Sequence, residues 1–262
     1  MPDILVLEGL TDATFFQEVI SRWYFRDDER LYSQVSGRRN MPAGVRGFTS
    51  QGTQREIEFR YHRIPSAEAT GGKDQFPAII SALLDEGIWD FSVARDLDLN
   101  SREQVLSSIE DIVYSHSRTT GQGNLDVSGQ ITAKDGTISV LPMGKGNSAT
   151  LESLGVMSHS MEDYLIELML HDPSLRRSAP DLNELLLEIL PSIRMHDGPF
   201  DSSKELFQLI KPIVQHGFSD TGVVHKLIRD ADENILRAVL APLLADMEPA
   251  FGLGTGPEVR RR

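Results

Sequence analysis

Ile4 to Glu18 reads ILVLEGLTDATFFQE, and its order decides the fold. A short apolar run stops on a carboxylate and a glycine, Glu8-Gly9, and an amphipathic stretch follows at once. That order predicts a buried strand, a tight turn and a helix, with one acid held at the C-terminal edge of the strand. Open α/β sheets place their chemistry at that edge. Thr11 is the expected N-cap, with Asp12 in the first turn where a negative charge suits the helix dipole. Phe15, Phe16, Val19, Ile20 and Trp23 then share one helical face.

Working outward, residues 31–55 are rich in glycine, arginine and polar residues with no sustained period, and they read as an inserted loop or hairpin, partly mobile. Glu56 to Ile64 alternates apolar and charged residues as a half-buried strand does. The glycine turn Gly71-Gly72-Lys73 leads to a helix bearing Phe76, Ile79, Ile80, Leu83 and Leu84, with Gly87 as its C-cap. Trp89 to Ala94 is the next strand, and Asp96-Leu97-Asp98 follows it. Ser101 with Gln104 forms a capping box for a helix carrying Val105, Leu106, Ile109, Ile112 and Val113.

Residues 119–136 are glycine-rich, and Asp135-Gly136 signals a hairpin into a strand from Thr137 to Leu141, which Pro142 is expected to stop. Gly144 to Ser148 lacks the residue order of a P-loop and reads as an ordinary turn. Ser160 then caps a helix whose first turn carries Glu162 and Asp163. Strands alternating with helices imply an α/β fold, a Rossmann-like and mainly parallel sheet flanked by helices.

Beyond Pro173 only helical spacing remains: Leu182 to Leu190, Leu206 to Val214 behind a Ser202–Glu205 capping box, Val223 to Ile228, and Ile235 to Met247. Pro191, Pro212, Gly217 and Pro242 are expected to limit or kink these helices. The expected organisation is an α/β domain over 1–173 with insertions at 31–55 and 119–136, an all-helical appendage over 174–250, and a disordered tail over 251–262.

Composition narrows the chemistry. The 262 residues include no cysteine, which removes disulfides, thiolate catalysis and cysteine-based zinc sites. No apolar run approaches the roughly 18 residues of a spanning helix, and the N-terminal stretch lacks a signal-peptide pattern, so no membrane association and a cytoplasmic location are expected. A net charge of -13 argues against nucleic-acid binding over the whole surface, although arginines cluster between positions 22 and 63. The seven histidines form no H-x-x-x-H pair and read as surface or satisfied core residues.

A sheet of the expected order gathers acids: Glu8 after the first strand, Asp96 and Asp98 after the third, and Glu162 or Asp163 opening the helix after the fourth. On an extended chain Asp96 and Asp98 project to the same side. Crowded carboxylates raise one another's pKa and favour a cation, and hard oxygen ligands select Mg²⁺, Mn²⁺ or Ca²⁺. The chemistry this implies is metal-assisted phosphoryl transfer or phosphodiester cleavage.

Glu8-Gly9-x-x-Asp12 with Phe15-Phe16, then Gly71-Gly72-Lys73, Asp96-x-Asp98, Leu141-Pro142 and Met161-Glu162-Asp163-Tyr164-Leu165 together resemble the Toprim domain. That catalytic fold is shared by bacterial primases, topoisomerases, small RNA-maturing nucleases and overcoming-lysogenization-defect (OLD) nucleases. The likeness covers about residues 3–170 and is greatest to stand-alone Toprim proteins related to the OLD type. It implies Glu8 as general acid/base or metal ligand, Asp96 and Asp98 as metal ligands, Asp12 and Glu162 as additional ligands, and Lys73 beside the substrate phosphate. The implied cofactor is Mg²⁺ or Mn²⁺ and the implied partner nucleic acid, DNA or RNA, acted on by a nuclease. The chain departs from the OLD pattern in carrying no recognisable ATPase domain. The alternative expectation is a non-catalytic interaction or regulatory module, with a protein partner bound through the C-terminal helices. A haloacid-dehalogenase-type use of Asp96-x-Asp98 fits less well, because that family expects the motif after its first strand.

Overall fold

The computed structural model describes residues 3–23, 31–34, 42–48, 54–61, 76–116, 124–125, 129–133, 136–175, 181–197, 200–214 and 219–251. They form an α/β fold that packs as two compact units. The first comprises Met1–Arg95, Leu106–Leu141 and Leu243–Arg262, and the second Asp96–Val105 and Pro142–Pro242.

The opening run becomes β1 (Asp3–Val6), hydrogen-bonded in parallel to β4 (Gln54–Arg60) on one side and to β5 (Phe91–Asp96) on the other. A strand paired on both edges and covered on both faces needs an unbroken apolar sequence, and Leu5 and Val6 are fully buried. The remaining strands are β2 (Leu31–Gln34), β3 (Pro42–Phe48), β6 (Asn124–Leu125), β7 (Gln130–Ala133) and β8 (Gly136–Met143), and the eight-stranded order is β2-β3-β4-β1-β5-β8-β7-β6.

The expected mainly parallel sheet is therefore mixed. The pairs β2–β3, β3–β4, β6–β7 and β7–β8 are antiparallel, and each includes a strand from one of the two segments read as insertions. Short connections reverse the chain, so such segments extend a sheet only in the antiparallel sense.

The strand β8 runs through Pro142 instead of stopping before it. Val140 N donates to Gly129 O on the β7 side, and the nitrogen of Pro142, two residues on, points the same way beyond the last β7 pair. No ladder bond is lost there.

Helices α1 (Leu10–Trp23), α2 (Phe76–Asp85) and α3 (Arg102–His116) follow β1, β4 and β5. In α1 the cap is displaced from the expected Thr11: Ala13 N bonds Gly9 O, so Gly9 precedes the first turn. Asp12 closes it by accepting from Gly9 N at 3.0 Å, the reciprocal half of a capping box. At the end of α2, Gly87 takes φ +75 and donates to Leu84 O while Ile88 N donates to Leu83 O, a Schellman closure. Ser101 and Gln104 exchange hydrogen bonds of 2.7 and 3.3 Å as expected.

In the second unit, α4 (Ala149–Ser153), α5 (Glu162–His171), a 3-10 turn (Pro173–Leu175), α6 (Leu182–Asp197), α7 (Ser203–Val214) and α8 (Asp220–Asp230) precede α9 (Glu233–Phe251). The middle element is α5, buried from Asp163 to Leu170 and packed on α4, α6, α7 and α8. A helix buried on all its faces needs neighbours on all sides, and these come from both sides of position 173 within one unit.

Pro191, Pro212 and Pro242 lie inside α6, α7 and α9, so they do not end these helices. An interior proline removes one backbone bond, and tertiary packing of the buried faces outweighs it. The last turn of α9 belongs to the first unit, where Arg55 donates to Phe251 O at 2.7 Å. Phe251 is buried, and the tail from 252 onward lies outside the described residues. Among the described residues no helix is long and apolar enough to cross a membrane.

Candidate functional site: a buried acid cluster

Asp96 is the final residue of β5, so the strand delivers it to the sheet edge directly. Its side chain is 4% exposed. Oδ1 accepts from Met161 N at 3.0 Å, and Oδ2 meets Lys204 Nζ at 2.7 Å. Burial pushes the Asp96 carboxyl above its usual range; Lys204 pulls it back in part, and Asp98 adds a lesser upward push.

Glu162 opens α5. Burial raises its pKa most, followed by the charge of Asp96, against a lowering by the Ser160 hydroxyl. Ser160 Oγ donates to Glu162 Oε2 at 2.6 Å and meets Ser203 Oγ at 2.6 Å. Because the Ser160 proton is committed to Glu162, Ser203 is the donor in that second contact. This corrects the expected capping role of Ser160: Met161 is the N-cap, with no side-chain cap bond.

Asp98 departs from the extended geometry expected of an Asp-x-Asp pair. Its φ is +53, a left-handed conformation that aspartate tolerates better than most residues. The main chain there pairs with His159 through Asp98 N to His159 O (2.6 Å) and His159 N to Asp98 O (2.8 Å). The second unit thus brings Asp96, Asp98 and Glu162 into one neighbourhood. Glu8 and Asp12 belong to the first unit, where Glu8 is half-buried at the turn after β1. Lys73 lies outside the described residues.

A second polar network lies in the same unit. Asp163, 0% exposed at its side chain, accepts from His159 Nδ1 at 2.9 Å and from Lys145 N at 2.6 Å, both through Oδ2. Glu167 receives the Lys145 ammonium on one oxygen and the Ser148 hydroxyl on the other. Gly144 permits this arrangement: it has φ +123, and a Cβ there would stand 2.9 Å from His159 Cβ. The carboxylate holds the imidazole in the Nδ1–H tautomer when it is neutral, so Nε2 carries the lone pair. His159 is thus a satisfied, largely buried residue, one of the two readings expected of the histidines.

Sequence reasoning missed Lys204, which occupies the first turn of α7 where the helix dipole repels a cation. That misplaced charge was the available signal. The arginine-rich segment is more balanced than its composition suggests, since Arg46, Arg55 and Arg60 pair with Glu56, Asp3 and Glu58. The first unit also holds a cavity of about 750 Å³ at the N-terminal ends of β1 and β5, lined in part by Asp3, Arg55, Trp89 and Asp90. Ligands of open α/β sheets bind at the other end of the strands.

No family model matches this chain, and no curated protein does. A solved structure resembles it: the crystal structure of hypothetical protein PH0156 from Pyrococcus horikoshii OT3, with 16% identity, a TM-score of 0.58, and coverage of 97% of this chain and 100% of that one. The likeness is one of fold. It extends over the helices beyond 173 as well as the sheet.

As a metal centre, the cluster has a defined limit. Among the described residues no three His, Asp or Glu side chains gather as ligands for one ion. What Asp96 and Glu162 offer is a pair of hard oxygen donors. Mg²⁺ commonly binds through one or two carboxylates, completing its shell with water and substrate phosphate. The pair fits that mode and does not fit an all-protein cage.

Proposed function

We propose that this protein is a nuclease of Toprim type, related to the OLD nucleases and acting on the phosphodiester bonds of DNA or RNA with Mg²⁺ or Mn²⁺. The observation that carries the reading is the placement of buried Asp96 at the C-terminal end of a central parallel strand, held by Met161 N beside Glu162. Like charges held together out of water favour the entry of a cation. Asp96 and Glu162 would hold the metal, with Asp98 beside them. The ion, when bound, would polarise a phosphoryl oxygen and lower the pKa of attacking water.

The protein's own groups prepare the site. Met161 N fixes one oxygen of Asp96, and Ser160, itself held by Ser203, orients Glu162. The Toprim resemblance implies the further roles named above for Glu8, Asp12 and Lys73, and Glu8→Gln tests the first of them.

The test is incubation of the purified protein with single- and double-stranded DNA and RNA in Mg²⁺ or Mn²⁺, beside Asp96→Asn, Glu162→Gln and Glu8→Gln. Expected is metal-dependent cleavage, reduced about 100-fold or more in Asp96→Asn. Cleavage by that variant at the wild-type rate, or none by the wild type with either metal, would overturn the reading.

The second reading is an interaction or regulatory module that retains the fold without catalysis. The Asp96–Lys204 ion pair favours it, since it gives the acid cluster a cation of its own.

A further inference from the structure

The ion pair between Asp96 and Lys204 is lopsided. Asp96 sits 4% exposed and anchored through Met161 N, whereas the lysine side chain is 47% exposed. A long, half-solvated lysine leaves such a contact by side-chain rotation alone, and the acid has no comparable freedom.

Yet the backbone that carries Lys204 is firmly docked. Met157 N and Ser158 N donate to Asp201 O at 2.7 and 3.1 Å, and Ser203 N donates to Ser158 O at 3.0 Å. Ser158 and Ser202 form a parallel bridge, and the hydroxyls of Ser160 and Ser203 meet. One stretch, 157–162, therefore anchors the start of α7 and carries Glu162. The cost of a cation in the first helical turn is accepted at a position whose ammonium reaches Asp96, whose other oxygen is held by Met161 N, the residue next to Glu162.

We propose that Lys204 is a tethered counter-ion that fills the cation position of the Asp96–Glu162 pair, and that a divalent metal binds there only as the lysine swings out to solvent. The inference rests on the metal reading of the same site and specifies how that site is regulated. A lysine-held and a metal-held state exclude each other, so the apparent metal affinity is reduced by the fraction of molecules whose site the lysine leaves open. The helices beyond position 173 thereby set the threshold at which the acid cluster takes up metal.

The experiment is calorimetric titration of the full chain with MnCl₂ for the wild type, Lys204→Met, Lys204→Arg and Asp96→Asn. Expected is binding about tenfold tighter in Lys204→Met than in the wild type, no such gain in Lys204→Arg, and loss of binding in Asp96→Asn. Wild type and Lys204→Met binding equally, or Lys204→Met binding more weakly, would overturn the counter-ion role and leave the metal reading standing. Binding by none of the four, or undiminished binding by Asp96→Asn, would overturn both.

Should Lys204→Met not fold, a second measurement on the wild type decides. Its lysines are reductively methylated with ¹³C-formaldehyde, the Lys204 signal is assigned by its loss in Lys204→Arg, and MgCl₂ is added while binding is followed by calorimetry. The signal should move to the position of solvent-exposed lysines as the site fills. A signal that stays fixed while Mg²⁺ binds would overturn the proposal.

Discussion

Glu162 is the residue whose removal should help stability. Burial and the charge of Asp96 raise its pKa, so the folded chain binds its proton more tightly than the unfolded chain does. Its ionisation therefore works against folding: the contribution is absent below about pH 4 and grows as pH rises from there through the folded pKa. Glu162→Gln, which keeps an acceptor for Ser160, should raise the urea midpoint at pH 7 and lose that advantage toward pH 4. A gain equal at both pH values would contradict the assigned cause. Asp163 should behave in the opposite way, because it is the shared acceptor of His159 and Lys145 N. Asp163→Ala leaves a buried N–H unsatisfied and should cost about 1–3 kcal/mol or more in urea unfolding. Neither role was legible in the residue types: Glu162 and Asp163 are adjacent acids in one helical turn, and only the tertiary neighbours, Asp96 for one and His159 for the other, separate them.

At the scale of elements, the local signals read well where a few adjacent residues decide the outcome. The Glu8-Gly9 strand end, the Ser101–Gln104 box and the Gly87 closure depend on contacts within about one turn, and each lies where its sequence places it. Reading failed where the deciding partner is distant in the chain. The antiparallel flanks depend on which strand edge a hairpin reaches, Pro142 is tolerated because β7 ends before it, and Lys204 meets an acid more than a hundred positions earlier. Gly144 tests the loop that links β8 to α4. Gly144→Ala places a Cβ against His159 in a left-handed conformation and should cost about 1–3 kcal/mol, readable as a lower thermal midpoint. The middle helix offers a cavity test: Leu165, fully buried in α5, should lose about 2–5 kcal/mol as Leu165→Ala, measured by denaturant unfolding.

For the whole molecule, the path of the chain matters more than its linear divisions. Contiguous pieces do not correspond to the compact units, since the second takes in Asp96–Val105 as well as Pro142–Pro242 and the first recovers the chain at Leu243. A fragment of residues 1–173 keeps α5 but lacks α6, α7 and α8, which cover it. It should aggregate or show no cooperative thermal transition, where the full chain shows one; a monomeric fragment with a sharp transition would refute this account. The bond from Arg55 to Phe251 O spans 196 positions, and Ser92 also reaches the end of α9, at Ala250. Synthesis is vectorial, at about 5–20 residues per second, so β1, β4 and β5 leave the ribosome many seconds before the turn that completes their unit. During that interval Arg55 and Ser92 lack the carbonyls they meet on α9, and the place that Phe251 fills in the core of the first unit stays open to water.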